Sequence, residues 1–418
     1  LQKCPWCGTR IIPSERQQEV SEWYGVRCDQ TRFELFCPEQ TCSFHAVLPI
    51  NVVDDHLYAS PPSFLVGTID KFARLAWTDK PIAFFSGGVD GTRLPPSLII
   101  QDELHLISGP LGTIAGLYEA AIDVVMRSKG AKPKFIAATA TIRRAAEQAK
   151  RLYAREVSIF PPSGLASSDS YFARELDGVD SPPGRLYLGV MGQYHSPVTA
   201  LVQTSAVLAQ APEELSISST AKDGYWTQVI FHNSKRELGK TMTLCRDDIP
   251  KRVSVIASSG EKCRTSFDAV EMSANIPSPE IPAVLARLKE HRESTGVVDM
   301  LPCTNMFSVG VDVGRLGLIV MNGQPKTTAE YIQASSRVGR SSVPGIVVAF
   351  YPSNKARDRS HYESFISYHQ SLYRAVEPTS ITPYALPAME RALHAALVIT
   401  MRYCAGLLRD ADASRFDP

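Results

Sequence analysis

The sequence predicts an α/β protein with two parallel-sheet domains, a zinc ribbon at the amino terminus and a helical extension at the carboxy terminus. Five of the nine cysteines lie within the first 42 residues. From about residue 64, short apolar runs alternate with amphipathic stretches, and a segment rich in Pro, Ser, Asp and Gly at 160–184 separates two such series. A chain of 418 residues is long enough for two or three domains. We expect the domains at 1–50, 51–180, 181–352 and 353–418.

The cysteine-rich segment carries two paired-cysteine turns, CPWCG at 4–8 and CPEQTC at 37–42. Their spacing is typical of a tetrahedral zinc site with Cys4, Cys7, Cys37 and Cys42 as ligands. Cys28 has no near neighbour and is expected to be a buried or free thiol. Four thiolates leave no open coordination position, so the zinc would be structural. The alternative is a set of cysteines without metal in a loop-rich segment.

The first sheet is predicted from apolar runs that flank one amphipathic helix. The runs are SFLVGT, SLIIQD and KFIAATAT, and the helix is GLYEAAIDVVMRS. A second helix is expected at 142–155, where basic residues form either a solvated face or a nucleic-acid contact.

The stretch SLIIQDELHLISG at 97–109 brings two adjacent carboxylates, Asp102 and Glu103, to the exposed end of a predicted strand. In nucleotide sites one such carboxylate holds Mg²⁺ through water, and the other orients the attacking water. We therefore expect magnesium at Asp102. The partner should be a glycine-rich loop that ends in Lys-Ser or Lys-Thr.

The second sheet is predicted from six further apolar runs: GRLYLGV, TQVIFHN, RVSVIAS, VVDML, LGLIVMN and GIVVAFY. Within this domain SKRELGKT at 234–241 ends like a phosphate loop. It lacks the leading glycine, and the residues at 235–238 favour ordinary helix, so we expect a helix there.

Arg337 and Arg340 in TTAEYIQASSRVGRS are three residues apart, which places both guanidiniums on one face. Such a pair could stabilise charge on a transferring phosphoryl group. Alternatively, it lies on the surface at a helix end. In the tail, Tyr362, Phe365 and Tyr368 either stack on unpaired bases or pack in the core, and core packing is the simpler expectation.

The net charge of +1 excludes a global basic field, so nucleic-acid binding would depend on local patches. The most apolar late segment, ALHAALVITMRYCAGLL, is interrupted by Arg402 and is too short to span a bilayer. We expect a cytoplasmic protein without membrane contact. Because the chain starts at Leu1 rather than Met, we also expect it to be a fragment.

Six segments in order resemble motifs Ib to VI of the superfamily 2 helicases. They are VGTIDKF (66–72), QDELH (101–105), ATAT (138–141), QVIFHNS (228–234), TNMFSVGVDV (304–313) and YIQASSRVGR (331–340). The resemblance covers about residues 64–352 and implies two RecA-like domains. The ribbon, the segment GQPKTTAEYIQASSRVGR and the aromatic tail look most like those of the DrmA helicases of the DISARM phage-defence system.

The resemblance implies roles for the residues of the first domain. Asp102 and Glu103 match the pair that coordinates Mg²⁺ and activates water. His105 matches the last residue of a DExH box, which links the state of ATP to motif III. Thr139 and Thr141 match that coupling motif.

Further roles are implied in the second domain and along the nucleic-acid path. Gln333, Arg337 and Arg340 match the motif VI frame, in which the arginines reach toward the phosphates. The other matches are Gly310 and Asp312 for the ribose, and Thr68, Lys71 and Thr304 for the nucleic-acid backbone.

Two departures and one absence qualify the resemblance. Ser336 stands where the family has the first glycine of motif VI. Val309 stands where many DEAD-box members have arginine, which suits a DExH motor better than an RNA-type one. Motifs Q, I and Ia would lie before Leu1, so this chain by itself should not hydrolyse ATP.

The leading hypothesis is an ATP-dependent DNA helicase or translocase subunit of an antiviral defence system. It would use ATP, Mg²⁺ and Zn²⁺, bind single-stranded DNA or a junction of single and double strands, and work with a second defence subunit. Two sheet domains would share one ATP, with carboxylates from one and arginines from the other. The alternatives are a zinc-containing DNA-binding scaffold that does not hydrolyse ATP, and a nucleotide switch that does not bind nucleic acid.

Overall fold

The computed structural model describes residues 1–13, 24–85, 94–139, 144–162, 169, 171, 184–308, 311–341, 343–377 and 380–416. The chain divides into two compact units. Unit 1 consists of Leu1–Thr139, Arg144–Ile159 and Thr379–Pro418, and unit 2 of Ala140–Arg143 and Phe160–Pro378. The segment predicted as one helical extension is therefore divided between the two units.

The strands are β1 Val26–Cys28, β2 Phe33–Leu35, β3 Leu98–Gln101, β4 Lys134–Ala137, β5 Arg185–Val190, β6 Gln228–His232, β7 Met300–Cys303, β8 Leu318–Asn322 and β9 Gly345–Phe350. The helices are α1 Asp54–Ala59, α2 Ile69–Phe72, α3 Gly109–Ser128, α4 Ala145–Tyr153, α5 Pro197–Glu214, α6 Ser219–Gly224, α7 Lys235–Arg246, α8 Asp248–Ile256, α9 Ile281–Leu288, α10 Thr328–Ser335, α11 Ala356–Glu363, α12 Phe365–Gln370 and α13 Leu386–Cys404. Six 3₁₀ turns complete the described elements: Ala73–Ala76, Lys80–Phe84, Leu104–Leu106, Ser278–Glu280, Leu372–Ala375 and Asp410–Arg415. Among the described helices, none combines the length and apolar character needed to cross a bilayer.

Unit 1 contains an antiparallel pair, β1–β2, and a parallel pair, β3–β4. The long helix α3 packs against α13 and α4, and its buried residues, such as Val125 and Met126, share an apolar cluster with Ile399 of α13. The predicted strand SFLVGT at 63–68 is wrong, because these residues form no strand and α2 begins directly after them.

Unit 2 is built on a five-stranded parallel sheet in the order β5-β9-β8-β6-β7. Successive side chains of a strand point to opposite faces, and both faces are buried along β6, β7 and β8. On one face Phe231 and Ile319 pack with Tyr331 of α10, and on the other Ile230 and Val320 pack with the side chains of α5 and α8. The predicted α/β class is confirmed.

The apolar run RVSVIAS at 252–258 is not the strand that we predicted, because it lies largely within helix α8. Ile249 and Val253 are buried on this helix, whereas Val255 is 70% exposed. Spacings of four and three residues from Ile249 through Val253 to Ile256 place these side chains on one helical face. Packing of that face onto the sheet therefore outweighs the local β-propensity.

The segment SKRELGKT is helical, as predicted. Helix α7 covers Lys235–Arg246, and the Ser234 hydroxyl caps it by accepting a hydrogen bond from the Glu237 N–H. Thr241 is only 2% exposed. Because the whole stretch from Lys235 to Thr241 lies inside the helix, its N–H groups do not form the cradle that a phosphate-binding loop provides.

A buried ion pair lies beside the first residue of β7. Arg264 Nη2 is 2.6 Å from Asp299 Oδ1, and both side chains are fully buried. Asp299 also accepts hydrogen bonds from the Trp226 indole and the Ser266 hydroxyl at 2.7 Å each. Burial lowers the pKa of Arg264, and Asp299 opposes that effect. Each charge thus has the partners that its desolvation requires.

Candidate functional site

The two predicted catalytic carboxylates lie directly after β3, at the carboxyl end of the β3–β4 pair. Asp102 is exposed, and its Oδ1 accepts a hydrogen bond of 2.9 Å from the Glu103 N–H. The Leu104 N–H donates to the Ala138 carbonyl at 2.9 Å, and the Ala138 N–H donates to the Gln101 carbonyl at 2.9 Å. The segment that carries the carboxylates is therefore bonded to the segment that precedes Thr139. An exposed carboxylate such as Asp102 fits a hydrated cation.

Glu103 adopts a left-handed backbone conformation with φ 50° and ψ 46°. Non-glycine residues rarely take this conformation unless the surroundings impose it. Its carboxylate lies 3.4 Å from Nδ1 of His105, a residue that is only 8% exposed. The turn thus orients the Glu103 side chain against a buried imidazole.

Sequence reasoning missed Gln148, a residue of α4 that is 1% exposed. Its side-chain Nε2 donates to the carbonyls of Leu104, at 3.2 Å, and Ile107, at 2.9 Å. A polar residue on the apolar face of α4, beside Ala149 and Leu152, was the available signal. The prediction for this helix rested on its basic residues instead.

In unit 2 the arginines of motif VI (331–340) lie against motif V (304–313). Arg337 donates to the carbonyls of Val311, at 2.9 Å, and Ser308. Arg340 Nη1 forms an ion pair of 2.9 Å with Asp312. The fold therefore brings two predicted motifs together, although 304–313 and 331–340 are separated by β8. Both arginines have protein partners in this arrangement.

Gly339 lies between Arg337 and Arg340, in the turn that precedes β9. Its φ is +66°, and a Cβ added there would lie closer than 3.0 Å to the backbone of Gly345. The Gly339 N–H donates to the Leu316 carbonyl at 2.8 Å. Only glycine combines this conformation with this close approach.

The predicted nucleic-acid residues differ in exposure. Thr68 is exposed just before α2, and its carbonyl accepts from the Lys71 N–H at 3.0 Å. The Lys71 ammonium is paired with Asp54. Thr304 is 7% exposed and follows β7, so a phosphate could reach its hydroxyl only if this turn moved.

Gln333 lies half-buried on α10, and its carbonyl accepts from the Ser336 hydroxyl at 2.9 Å. Thr141, Gly310 and Val309 lie outside the described residues.

The four predicted zinc ligands form one cluster. The Sγ atoms of Cys4, Cys7, Cys37 and Cys42 lie within 4.8 Å of one another, with 3.9 Å between Cys4 and Cys42 and 3.4 Å between Cys7 and Cys37. Four sulfurs at about 2.3 Å from a tetrahedral zinc ion would be about 3.8 Å apart. The cluster can therefore hold a metal ion such as zinc. Cys28 is a free, exposed thiol.

The surroundings of the cluster shift the pKa values of two of its thiols in opposite directions. Hydrogen bonds with Thr9 lower the pKa of Cys7 to about 6, whereas burial raises the pKa of Cys37 to about 12. Metal ligation requires thiolates, so an ion would displace the proton that burial otherwise keeps on Cys37.

Within unit 2, the aromatic tail packs against motif VI. The Tyr368 hydroxyl accepts from Gln324 at 2.9 Å and donates to Thr328 at 3.2 Å. Phe365 lies against Gly189 of β5, and Tyr362 is 37% exposed. These contacts favour core packing over base stacking for Phe365 and Tyr368.

Comparisons with known proteins show similarity to helicases. Residues 222–342 match the helicase conserved C-terminal domain. DISARM protein DrmA of Bacillus paralicheniformis is 39% identical over an alignment 444 positions long, gaps included, which covers 96% of this chain and 39% of that protein. Most of this chain is therefore similar to DrmA, and its residues 222–342 match a helicase domain.

Two solved helicase structures share the fold. The DUF1998 helicase MrfA bound to DNA has a TM-score of 0.55 at 17% identity, over 79% of this chain and 38% of that one. The Mycobacterium smegmatis helicase Lhr bound to single-stranded DNA and AMP-PNP has a TM-score of 0.55 at 16% identity, over 86% and 42%. This helicase-like chain spans about two fifths of the length of these relatives.

Proposed function

We propose that this chain forms part of an ATP-dependent helicase or translocase that moves on DNA in an antiphage defence system. The observation that carries the proposal is the turn after β3, where Asp102 and Glu103 follow a parallel strand and Glu103 faces a buried His105. Adjacent carboxylates at a strand end suit phosphoryl transfer to water. The similarity to DISARM protein DrmA supports the defence role.

In this proposal the carboxylates divide the chemistry between them. Asp102 is exposed and would hold Mg²⁺ through water, while Glu103 would orient the attacking water and take up its proton. Bound Mg²⁺ would neutralise charge on the phosphates of ATP. The left-handed backbone of Glu103 keeps its carboxylate on a fixed side of the turn.

Arg337 and Arg340 are proposed to stabilise the charge that develops on the transferring phosphoryl group. Arg337 is fixed by the carbonyls of Val311 and Ser308. Arg340 would exchange its ion pair with Asp312 for a phosphate oxygen, because Asp312 is 77% exposed and such surface pairs are weak. Gln333 would support this site from α10, and Gly310 and Asp312 would contact the ribose.

The nucleic-acid partner is proposed to be DNA, as in the MrfA and Lhr structures. Thr68 would contact the phosphate backbone directly, Lys71 after exchange of its Asp54 partner, and Thr304 after movement of its turn. Backbone contacts would make movement largely independent of sequence. His105 and Thr139 would couple the DNA grip to the ATP site, together with Thr141. We further propose a cytoplasmic location, a second defence subunit as partner, and a structural zinc ion at the cysteine cluster.

The test is DNA-stimulated ATPase activity of the full-length gene product. Glu103→Gln keeps the size and hydrogen-bonding shape of the side chain but removes the base, and Arg337→Ala removes one guanidinium. We expect each to lower kcat at least about 100-fold, within the range for catalytic bases and arginine fingers. Matched controls are Glu280→Gln and Arg374→Ala, which alter neither motif.

Wild-type activity that both variants retain would refute the site assignment. Absence of ATPase activity in the wild type, with DNA binding intact, would instead favour the zinc-containing DNA-binding scaffold. An ATPase that DNA does not stimulate would favour a nucleotide switch.

A further inference from the structure

We propose that Gln148 is a positioning residue that holds the turn at 103–107 in its catalytic conformation. Through Gln148, a movement of helix α4 would also move this turn. This inference rests on the proposed function, because it assigns Glu103 a catalytic role. Gln148 lies in none of the helicase-like motifs of the sequence. It acts through the backbone of the turn rather than on a substrate.

Two hydrogen bonds donated by the Gln148 side-chain amide bracket the predicted DExH histidine. The amide nitrogen reaches the Leu104 carbonyl just before His105, at 3.2 Å, and the Ile107 carbonyl two residues after it, at 2.9 Å. One rigid amide group therefore fixes both ends of the short turn. Movement of either end relative to the Gln148 amide requires one of these bonds to break.

Because the two hydrogen bonds are buried, their loss would be energetically costly. Gln148 is 1% exposed, and the turn residues Leu104 and Ile107 are 2% and 6% exposed. Leu104 and Ile107 share an apolar cluster with Ala149 and Leu152 of α4. A buried amide is unfavourable unless it is hydrogen-bonded, whereas an apolar side chain of similar length would fill the same space. The role of the amide in this cluster is therefore to fix the orientation of the turn through its hydrogen bonds, not to fill space.

The turn needs such a constraint because Glu103 has a left-handed backbone. An unfavourable conformation persists only where surrounding contacts impose it. The Ala138 carbonyl holds the Leu104 N–H at 2.9 Å, and Gln148 holds the Leu104 carbonyl. Leu104 is thus held through both of its backbone polar groups, directly next to Glu103.

These contacts also connect the turn to the segment that follows β4. Ala138 lies at the start of the motif III segment, and α4 is the next described element of the chain. A shift of α4 would move the Gln148 amide and, with it, the carbonyls of Leu104 and Ile107. Gln148 would therefore transmit changes near motif III to the position of Glu103.

The first experiment measures amide hydrogen exchange in Gln148→Met, which keeps the volume of the side chain but removes both donors. We expect the amides of 104–107 to exchange on the order of tenfold faster than in the wild type, because two hydrogen bonds that oppose local opening are lost. Gln203→Met on α5 makes the same change at a half-buried position of unit 2 and should leave this exchange unchanged. Unaltered protection of 104–107 in Gln148→Met would overturn the inference.

The second experiment measures ATPase kinetics of the same variants in the full-length gene product. We expect Gln148→Met to lower kcat about 10- to 100-fold with little change in KM for ATP, because misplacement of a catalytic group by about 1 Å can have such an effect. A merely structural role would lower the melting temperature and leave kcat per folded molecule unchanged, and that result would refute the positioning role.

The two experiments separate failure of this inference from failure of the proposed function. An inactive wild type refutes the ATPase, and hydrogen exchange then still decides whether Gln148 holds the turn. An active wild type with an equally active Gln148→Met variant refutes only the positioning role. If Gln148→Met does not fold, Gln148→Asn takes its place, because its amide is one methylene shorter and cannot span both carbonyls.

Discussion

Substitution of Gly339 by alanine tests the motif VI turn most directly. The residue has φ +66°, a conformation that costs an L-residue about 1 kcal/mol. The new Cβ would lie closer than 3.0 Å to the backbone of Gly345 at the start of β9. Because backbone cannot rotate away as a side chain can, the turn or the strand must shift, which adds about 2 kcal/mol or more. We expect unit 2 to lose about 3 kcal/mol of unfolding free energy.

A matched control exists in the same unit. Gly239 lies in the middle of α7, with nothing within 4 Å of an added Cβ and no positive φ. Alanine there should stabilise the helix by about 1 kcal/mol. The same substitution should therefore have opposite signs at the two positions. Gly239→Ala also tests the helical GKT segment, since a phosphate loop would not tolerate it.

Differential scanning calorimetry of the chain checks both expectations. For a unit of about 200 residues, 1 kcal/mol corresponds to about 2–4 °C in the melting temperature. Gly339→Ala should lower the transition of unit 2 by about 6–12 °C, and Gly239→Ala should raise it by about 2–4 °C. A melting temperature of Gly339→Ala within 2 °C of the wild type would show that the turn can relax and would refute the steric reasoning.

Three further predictions concern the metal cluster, a half-buried carboxyl and the buried ion pair. Elemental analysis should find about one zinc ion per chain, and Cys37→Ser with Cys42→Ser should remove it while Cys28→Ser retains it; fresh protein without metal would contradict the ribbon. Burial raises the pKa of Glu119 from 4.5 to about 7. Its contribution to stability is complete below pH 4.5 and is lost as the pH rises through 7, so Glu119→Gln should gain up to about 3 kcal/mol over the wild type at pH 8 and nothing at pH 4. Urea titrations at the two pH values measure this difference, and an equal gain at both would refute it. Asp299→Asn leaves the Arg264 charge buried without its counter-charge and should destabilise unit 2 by about 3–5 kcal/mol in the same titration; a loss below 1 kcal/mol would show that the remaining hydrogen bonds suffice.

Features set by neighbours in the sequence could be predicted from the sequence. The cysteine turns at 4–7 and 37–42 specify a ligand cluster because each pair closes locally. The strand that ends at Gln101 places Asp102 and Glu103 at its carboxyl end by chain continuity alone. Helix α7 follows from residues that favour helix and from the Ser234 cap. In each case the signal lies within a few residues of the feature.

Features that depend on distant packing could not be predicted. RVSVIAS alternates like a strand, yet the sheet face that receives Ile249 and Val253 makes it part of a helix. The tail after residue 379 belongs to unit 1 because α3 offers α13 an apolar face, which the sequence of the tail does not reveal.

The functional residues divide in the same way. By itself, the sequence determined the chemical groups: the carboxylates after β3, the arginines at 337 and 340, and the four thiols. Only the tertiary structure decided what holds them, namely the carbonyls of Ser308 and Val311 on Arg337, and Gln148 on the turn beside Glu103. The physical reason is that a side chain's chemistry is local, whereas its position depends on hydrogen bonds to residues 26 to 44 positions away.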